Sequence, residues 1–234
     1  MLRTISTLAH EVIDLIYPRT CAGCVQNKPV RGGIFCIHCL AELPETNFHL
    51  TPGNPFEMHF WGRVPIVAGS AFLFFVPEGR TQTLLHNIKY RGRSDFAKTI
   101  GMFYGGRLRT TDRFSDLDLI IPVPLHRKKE RLRGFNQSAE FGHGLASAMS
   151  LQVLPHGLTR TRHTATQTRK NRAERVANLS EAFRVTRPGT LSGKHVLLVD
   201  DVLTTGATLE ACALACMTEP DVRISMATIA CGRM

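Results

Sequence analysis

Val196 to Thr208, reading VLLVDDVLTTGAT, combine residue types that together can hold a phosphorylated sugar. Four apolar residues, Val196 to Val199, predict a buried strand that delivers Asp200 and Asp201 to its carboxyl end, where open α/β sheets bind ligands. Thr204, Thr205, Gly206, Ala207 and Thr208 follow at the start of an expected helix. Backbone N–H groups in such a place hold phosphate, and the threonine hydroxyls add donors. Gly206 permits a positive φ and a close approach of the backbone. The two carboxylates would repel phosphate, but they suit ribose hydroxyls and a Mg²⁺ ion that bridges a pyrophosphate. The rival reading of the same residues is a strand-end turn followed by an ordinary helix cap.

A second group is Cys21-x2-Cys24 with Cys36-x2-Cys39, the pairs separated by eleven residues. Two such knuckles can close a tetrahedron of thiolates, which suits structural zinc. Four protein ligands leave no open position, so the metal is not expected to be catalytic. An iron–sulfur cluster and redox or untethered thiols are the alternatives, and His38 is a weak substitute ligand. The segment has little apolar mass of its own, so the metal would supply its folding energy. Cys212 and Cys216, four apart on an apolar helix, read as buried small hydrophobes.

A third group is basic. The chain of 234 residues carries a formal charge of +10, and between Pro122 and Asn178 eleven Lys and Arg stand against three acids. Part of that excess follows the turn Pro122-Val123-Pro124, as His126, Arg127, Lys128, Arg131 and Arg133. A second part includes Arg160, Arg162, Arg169, Lys170, Arg172 and Arg175, set among threonines unlike a core helix. Arginine suits phosphate because its planar fork donates in parallel. A solvated basic face is the alternative. Phe135 either packs or stacks on a base; Asn136 and Gln137 either cap a helix or bind a ligand. Nothing resembles a helix-turn-helix or an aromatic RNA-binding signature, which argues against specific base readout.

The elements that must position these groups follow from periodicity. VPIVAGSAFLFFV (64–76) reads as two strands or one bent one, and further apolar strands are expected at 118–124, 194–200 and 222–230, with a short one at Val153. Helices are expected at 83–90, 96–108, 135–149 and 206–217. Fully apolar strands alternating with helices imply a parallel sheet covered on both faces. Ile5, Leu8, Val12, Ile13 and Ile16 give a further amphipathic helix before Pro18. Residues 47–62, with TPGNPFE, read as a linker between an N-terminal module (1–50) and a main domain (62–234). His10, Glu11 and Asp14 interrupt the apolar run that a signal peptide needs, and the run 66–76 is about half the length that crosses a bilayer. A cytoplasmic protein without membrane insertion is the expectation.

The thirteen-residue stretch resembles the phosphoribosyl pyrophosphate motif of type I phosphoribosyltransferases. With the cysteine pairs, IKYRGR (88–93), PVPLHRKKERLRGFNQS (122–138) and RTRHTATQTRKNRAERVANLSEAF (160–183), nearly the whole chain is similar to the competence protein F family. The resemblance implies the type I phosphoribosyltransferase fold, an open, mostly parallel α/β sheet flanked by helices, with a small N-terminal four-cysteine zinc module. It implies that Asp200 and Asp201 contact the ribose hydroxyls and that Thr204 to Thr208 hold the 5-phosphate. The segment after Pro124 takes the place of the pyrophosphate loop, and the cluster beginning at Arg160 that of the flexible loop which closes over the site. It further implies Mg²⁺ with phosphoribosyl pyrophosphate, and a role with imported single-stranded DNA and the uptake machinery. A catalytic member would displace pyrophosphate at ribose C1 with inversion. No residue declares itself as a general base. Two other functions fit: a phosphoribosyltransferase of nucleotide salvage or amino-group transfer, and a non-catalytic nucleic-acid adaptor.

Overall fold

Residues 20–161 and 182–233 are described by a computed structural model. The helix expected before Pro18 lies outside the described residues, as do Arg162, Arg169, Lys170, Arg172 and Arg175 of the second basic cluster.

Five parallel strands form the main sheet: β1 (Gly69–Phe74), β2 (Leu119–Pro122), β3 (Gln152–Val153), β6 (His195–Leu203) and β7 (Arg223–Cys231), in the order β1-β7-β6-β2-β3. The short strands β4 (Leu158–Arg160) and β5 (Phe183–Val185) pair antiparallel beside it. The apolar run 66–76 thus yields one strand, β1. The helices in chain order are α1 (Ile37–Ala41), α2 (Pro55–Met58), α3 (Arg80–Tyr90), α4 (Ser94–Leu108), α5 (Arg127–Arg133), α6 (Gln137–Met149) and α7 (Ala207–Cys216).

β6 lies between β7 and β2, and Val196 to Val199 are fully buried. Alternation splits them: Leu197 and Val199 join the core under α3, α4 and α6, whereas Val196 and Leu198 join the core under α2 and α7. Each fully buried aliphatic side chain contributes about 1.5–3 kcal/mol, so the strand carrying the acidic pair is held from both faces. The glycines of α4 and α6 serve a close approach. A Cβ on Gly101 would collide with the Phe141 carbonyl, and one on Gly144 with the Lys98 carbonyl.

The segment 47–62 is not a linker. Asn54 caps α2, its side chain accepting from Glu57 N at 3.2 Å. Its amide also donates to the carbonyls of Phe48, Thr51 and Gly69. Phe56 and Phe60 are fully buried against the α7 face of the sheet. The cysteine segment is likewise joined to the body: Cys21, Ala22, Cys36 and Cys39 share one apolar cluster with Leu84, Leu85 and Ile88 of α3.

Candidate functional site

The site is built where β6 runs out of the core. Full burial is interrupted after Val199: Asp200, Asp201 and Val202 are half-buried, Leu203 at the end of β6 is buried again, and Thr204 and Thr205 are exposed. Gly206 then takes φ +69 and opens α7 with no side-chain cap, which leaves the first N–H groups of that helix without intrahelical partners. Asp200, the threonines and Thr208 surround a small cavity of about 30 Å³. This is the arrangement that a single phosphate group needs at a helix start.

The loop is braced from behind. Arg63, just beyond α2, donates Nε to Glu210 Oε2 at 3.0 Å and pairs with it through a second guanidinium nitrogen. The same guanidinium reaches the Thr205 carbonyl at 3.2 Å. A Cβ on Gly206 would meet the His59 ring at 2.8 Å and the Phe60 ring at 3.1 Å. The glycine therefore serves two needs, a positive φ and space for the aromatic pair beneath it.

The acidic pair is engaged rather than open to solvent. Ser138 Oγ donates to Asp200 Oδ1 at 2.8 Å, and the Asp201 N–H donates to the same oxygen at 2.8 Å. Lys89 Nζ, in the last turn of α3, lies 3.0 Å from Asp201 Oδ2. Burial, and next the charge of Asp201, push the Asp200 carboxyl up to about 7, while Ser138, the Asp201 N–H and Lys89 pull it down. At this pair one carboxylate thus faces an ammonium and the other accepts two hydrogen bonds.

The turn after β2 brings the basic segment alongside. Val123 N donates to Val199 O at 2.9 Å, and Asn136 Nδ2 donates to Val123 O at 3.0 Å. Asn136 Oδ1 accepts from Ser138 N at 3.0 Å, so of its two expected roles Asn136 takes the cap. Phe135 packs against the core. His126 caps α5 through Nδ1 and Lys128 N at 3.2 Å, and α5 itself has no buried residue. The segment expected to form a pyrophosphate loop thus becomes a short turn and a helix. His126, Arg127, Lys128, Arg131 and Arg160 line one cavity of about 510 Å³, separate from the 30 Å³ cradle. Arg133 turns away: it donates to Gln137 Oε1 at 2.9 Å and lies over the exposed Tyr90 ring at 5.5 Å.

The four cysteine sulfurs all lie within 4.8 Å of one another. In a tetrahedral zinc site with Zn–S near 2.3 Å the sulfurs stand about 3.8 Å apart, and Cys24 Sγ and Cys36 Sγ are at 3.9 Å. Backbone N–H groups already point at sulfur, Cys36 N to Cys21 Sγ at 3.2 Å and Cys39 N to Cys36 Sγ at 3.5 Å. Such bonds favour thiolates. Cys24 is drawn down to about 6, first by the backbone N–H of Asn27. The donor set fits a four-coordinate thiophilic metal. No helix among the described residues is long and apolar enough to cross a membrane.

Lys89, Ser138, Arg63 and Glu210 carry no signal by residue type alone. Lys89 lies within IKYRGR and Ser138 within the stretch ending FNQS, so both motifs contain them without saying what they touch. Arg63 and Glu210 are 147 positions apart and have no local signature.

No protein-family model matches the chain. The DNA utilization protein YhgH of Shigella flexneri is 34% identical over 178 residues, covering 74% of this chain and 74% of its own. Competence protein F of Haemophilus influenzae is 28% identical over 194 residues, covering 81% and 80%. Among solved structures, the chain is similar to the glutamine phosphoribosylpyrophosphate amidotransferase of B. subtilis, with 18% identity and a TM-score of 0.40. That likeness covers 60% of this chain but 30% of the amidotransferase. A hypoxanthine phosphoribosyltransferase from Staphylococcus aureus aligns with a TM-score of 0.34 at 16% identity, covering 62% of this chain and 69% of its own.

Proposed function

This chain belongs to the family of the DNA utilization protein YhgH and competence protein F, and from that premise we propose that it binds phosphoribosyl pyrophosphate or a ribose 5-phosphate in the cytoplasm and acts in the handling of imported single-stranded DNA. The observation that carries the reading is the meeting of Asp200, Asp201 and the uncapped, Gly206-opened start of α7 at the carboxyl end of β6. In this reading the 5-phosphate sits on the N–H groups of residues 204–208, and the ribose hydroxyls donate to the acidic pair. Mg²⁺, where a pyrophosphate is present, neutralises that group. Arg127, Lys128 and Arg131 supply positive charge beside it, and the same side chains attract a DNA backbone without reading its bases.

Calorimetric titration with phosphoribosyl pyrophosphate and Mg²⁺ tests the reading. Wild type should bind, and Asp201→Ala should weaken binding by roughly 5- to 150-fold, the scale of a lost charge-assisted hydrogen bond. A wild type that binds no ribose 5-phosphate compound refutes it. The four cysteines hold one structural Zn²⁺ in this reading. Elemental analysis should then find about one zinc per chain, and a value near zero in protein prepared without chelator rules the zinc out.

One observation favours a second reading, an active phosphoribosyltransferase. The basic cavity of about 510 Å³ falls in the size range of small-molecule sites and has room for an acceptor. Release of pyrophosphate from phosphoribosyl pyrophosphate on adding ammonia or a purine base distinguishes this reading; no release with any acceptor removes it.

A further inference from the structure

The acidic pair has a cation supplied by the chain itself. α3 ends at Tyr90, and Lys89 stands in its last turn, where the carbonyl end of a helix favours positive charge. That turn is anchored. Ile88 is fully buried in the core shared with the cysteines, and Asn87 Nδ2 donates to the Ala22 carbonyl at 3.3 Å. The Lys89 ammonium is thereby held 3.0 Å from Asp201 Oδ2, with both side chains mostly shielded, 24% and 17% exposed. On the other side of the pair, Asp200 Oδ1 is satisfied by Ser138 and by the Asp201 N–H.

A divalent ion entering this pair directly would have to displace or repel that ammonium, and breaking a shielded ion pair is costly. A ribose hydroxyl faces no such conflict. It donates to a carboxylate oxygen, and each carboxylate has more acceptor sites than Lys89 and Ser138 use. We infer that Lys89 takes the place of a divalent cation at Asp201, so that the site binds ribose 5-phosphate, a sugar monophosphate, without Mg²⁺. The inference rests on the ribose-phosphate reading and narrows it. Lys89 is a positioning residue here: it balances the charge of Asp201 and fixes the carboxylate that orients the sugar. The 5-phosphate is held by the braced loop, whose N–H donors need no metal.

The test is calorimetric titration of ribose 5-phosphate into the full chain, in buffer freed of metal by a chelating resin, with and without added Mg²⁺. A soluble chelator is avoided because it would attack the thiolate cluster. Wild type should bind with affinities within about twofold in the two buffers. Lys89→Gln should weaken binding roughly tenfold or more without Mg²⁺, the scale of a lost charge-assisted contact, and regain much of it when Mg²⁺ is added. Lys89→Arg should behave as wild type. A wild type that binds only with Mg²⁺ overturns the inference and leaves the ribose-phosphate reading standing, and so does a Lys89→Gln protein indistinguishable from wild type in both buffers. Absence of binding by wild type in both buffers overturns both.

Discussion

The loop 204–208 and helix α5, the two segments to which the proposed reading assigns anions, are built in opposite ways. Behind the loop lie the Arg63–Glu210 pair, the contact of Arg63 with the Thr205 carbonyl, and the His59 and Phe60 rings under Gly206. Among the described residues nothing comparable lies behind α5: none of its seven residues is buried, and Leu132 is 84% exposed. A loop whose N–H groups are fixed before the ligand arrives loses little entropy on binding and selects one shape of anion. A helix of long, solvated cations keeps its side-chain freedom, attracts any polyanion and is screened by salt. In the proposed reading, specificity and general attraction are thus divided between two neighbouring segments.

Four experiments break or sharpen that contrast, beginning with the largest effect. Gly206→Val should destabilise the protein by about 2–5 kcal/mol, since a positive φ costs a β-branched residue about 1–3 kcal/mol and overpacking against His59 and Phe60 adds a similar amount. Urea unfolding measures this; a stability equal to wild type would mean that the aromatic pair does not brace the loop. Arg63→Ala should cost about 1–3 kcal/mol, because Glu210 is left shielded and unpaired. It should also weaken ribose 5-phosphate binding although Arg63 touches no ligand in the proposed pose. A variant that binds with unchanged affinity separates bracing from recognition.

A smaller effect concerns pH. The folded Asp200 carboxyl is raised to about 7 by burial and by Asp201. A carboxyl raised on folding contributes stability that is fully present below its unfolded value and lost as pH rises through the folded one. Melting temperature should therefore fall between the ordinary carboxylate range and about pH 7, and Asp200→Asn should flatten that slope. Thermal melts across the window check it, and a slope unaltered by the substitution places its cause elsewhere.

The smallest change in stability belongs to α5. Replacing Arg127, Lys128 and Arg131 together by Gln should alter stability by no more than about 0.5 kcal/mol, as for exposed positions generally. The same variant should flatten the logarithmic salt dependence of single-stranded DNA binding by about 2, at roughly 0.7 per phosphate contact on a single strand. Fluorescence titrations at several salt concentrations read the slope. An unchanged slope would show that DNA binds elsewhere, and a marked loss of stability would show that α5 is not the solvated helix its exposure describes.

Much of the architecture is legible in the sequence because it is local. Leu197 and Val199 alternate with Val196 and Leu198 between two cores, and a run apolar at every position is what a strand covered on both faces requires. Helices α3, α4, α6 and α7 fall within a few residues of their periodic patterns. The segment 47–62 misleads for a physical reason. Asn, Pro and Gly punctuate a solvated linker and a tightly capped turn alike, and the distinction rests on Phe56 and Phe60 finding a core to enter. The segment after Pro124 poses a similar ambiguity, since a charged run shows no apolar stripe whether it coils or forms a helix such as α5.

By itself, the order of residue types determined the apolar strands, the acidic pair that follows Val199, the glycine that opens α7 and the two Cys-x2-Cys pairs. Each depends on neighbours a few positions apart, where backbone geometry alone relates one side chain to the next. Which strands pair, and the convergence of the thiols within 4.8 Å, rest on contacts between separate segments. The tertiary structure decided which groups the site residues touch: Lys89 on Asp201, Ser138 on Asp200 and Arg63 behind Thr205. Ser138 and Asp200 are 62 positions apart, and Arg63 and Thr205 are 142. A lysine near the end of an amphipathic helix reads the same whether it faces water or a carboxylate. The packing of α3 against the cysteine segment and the core beneath it turns that lysine toward the acidic pair.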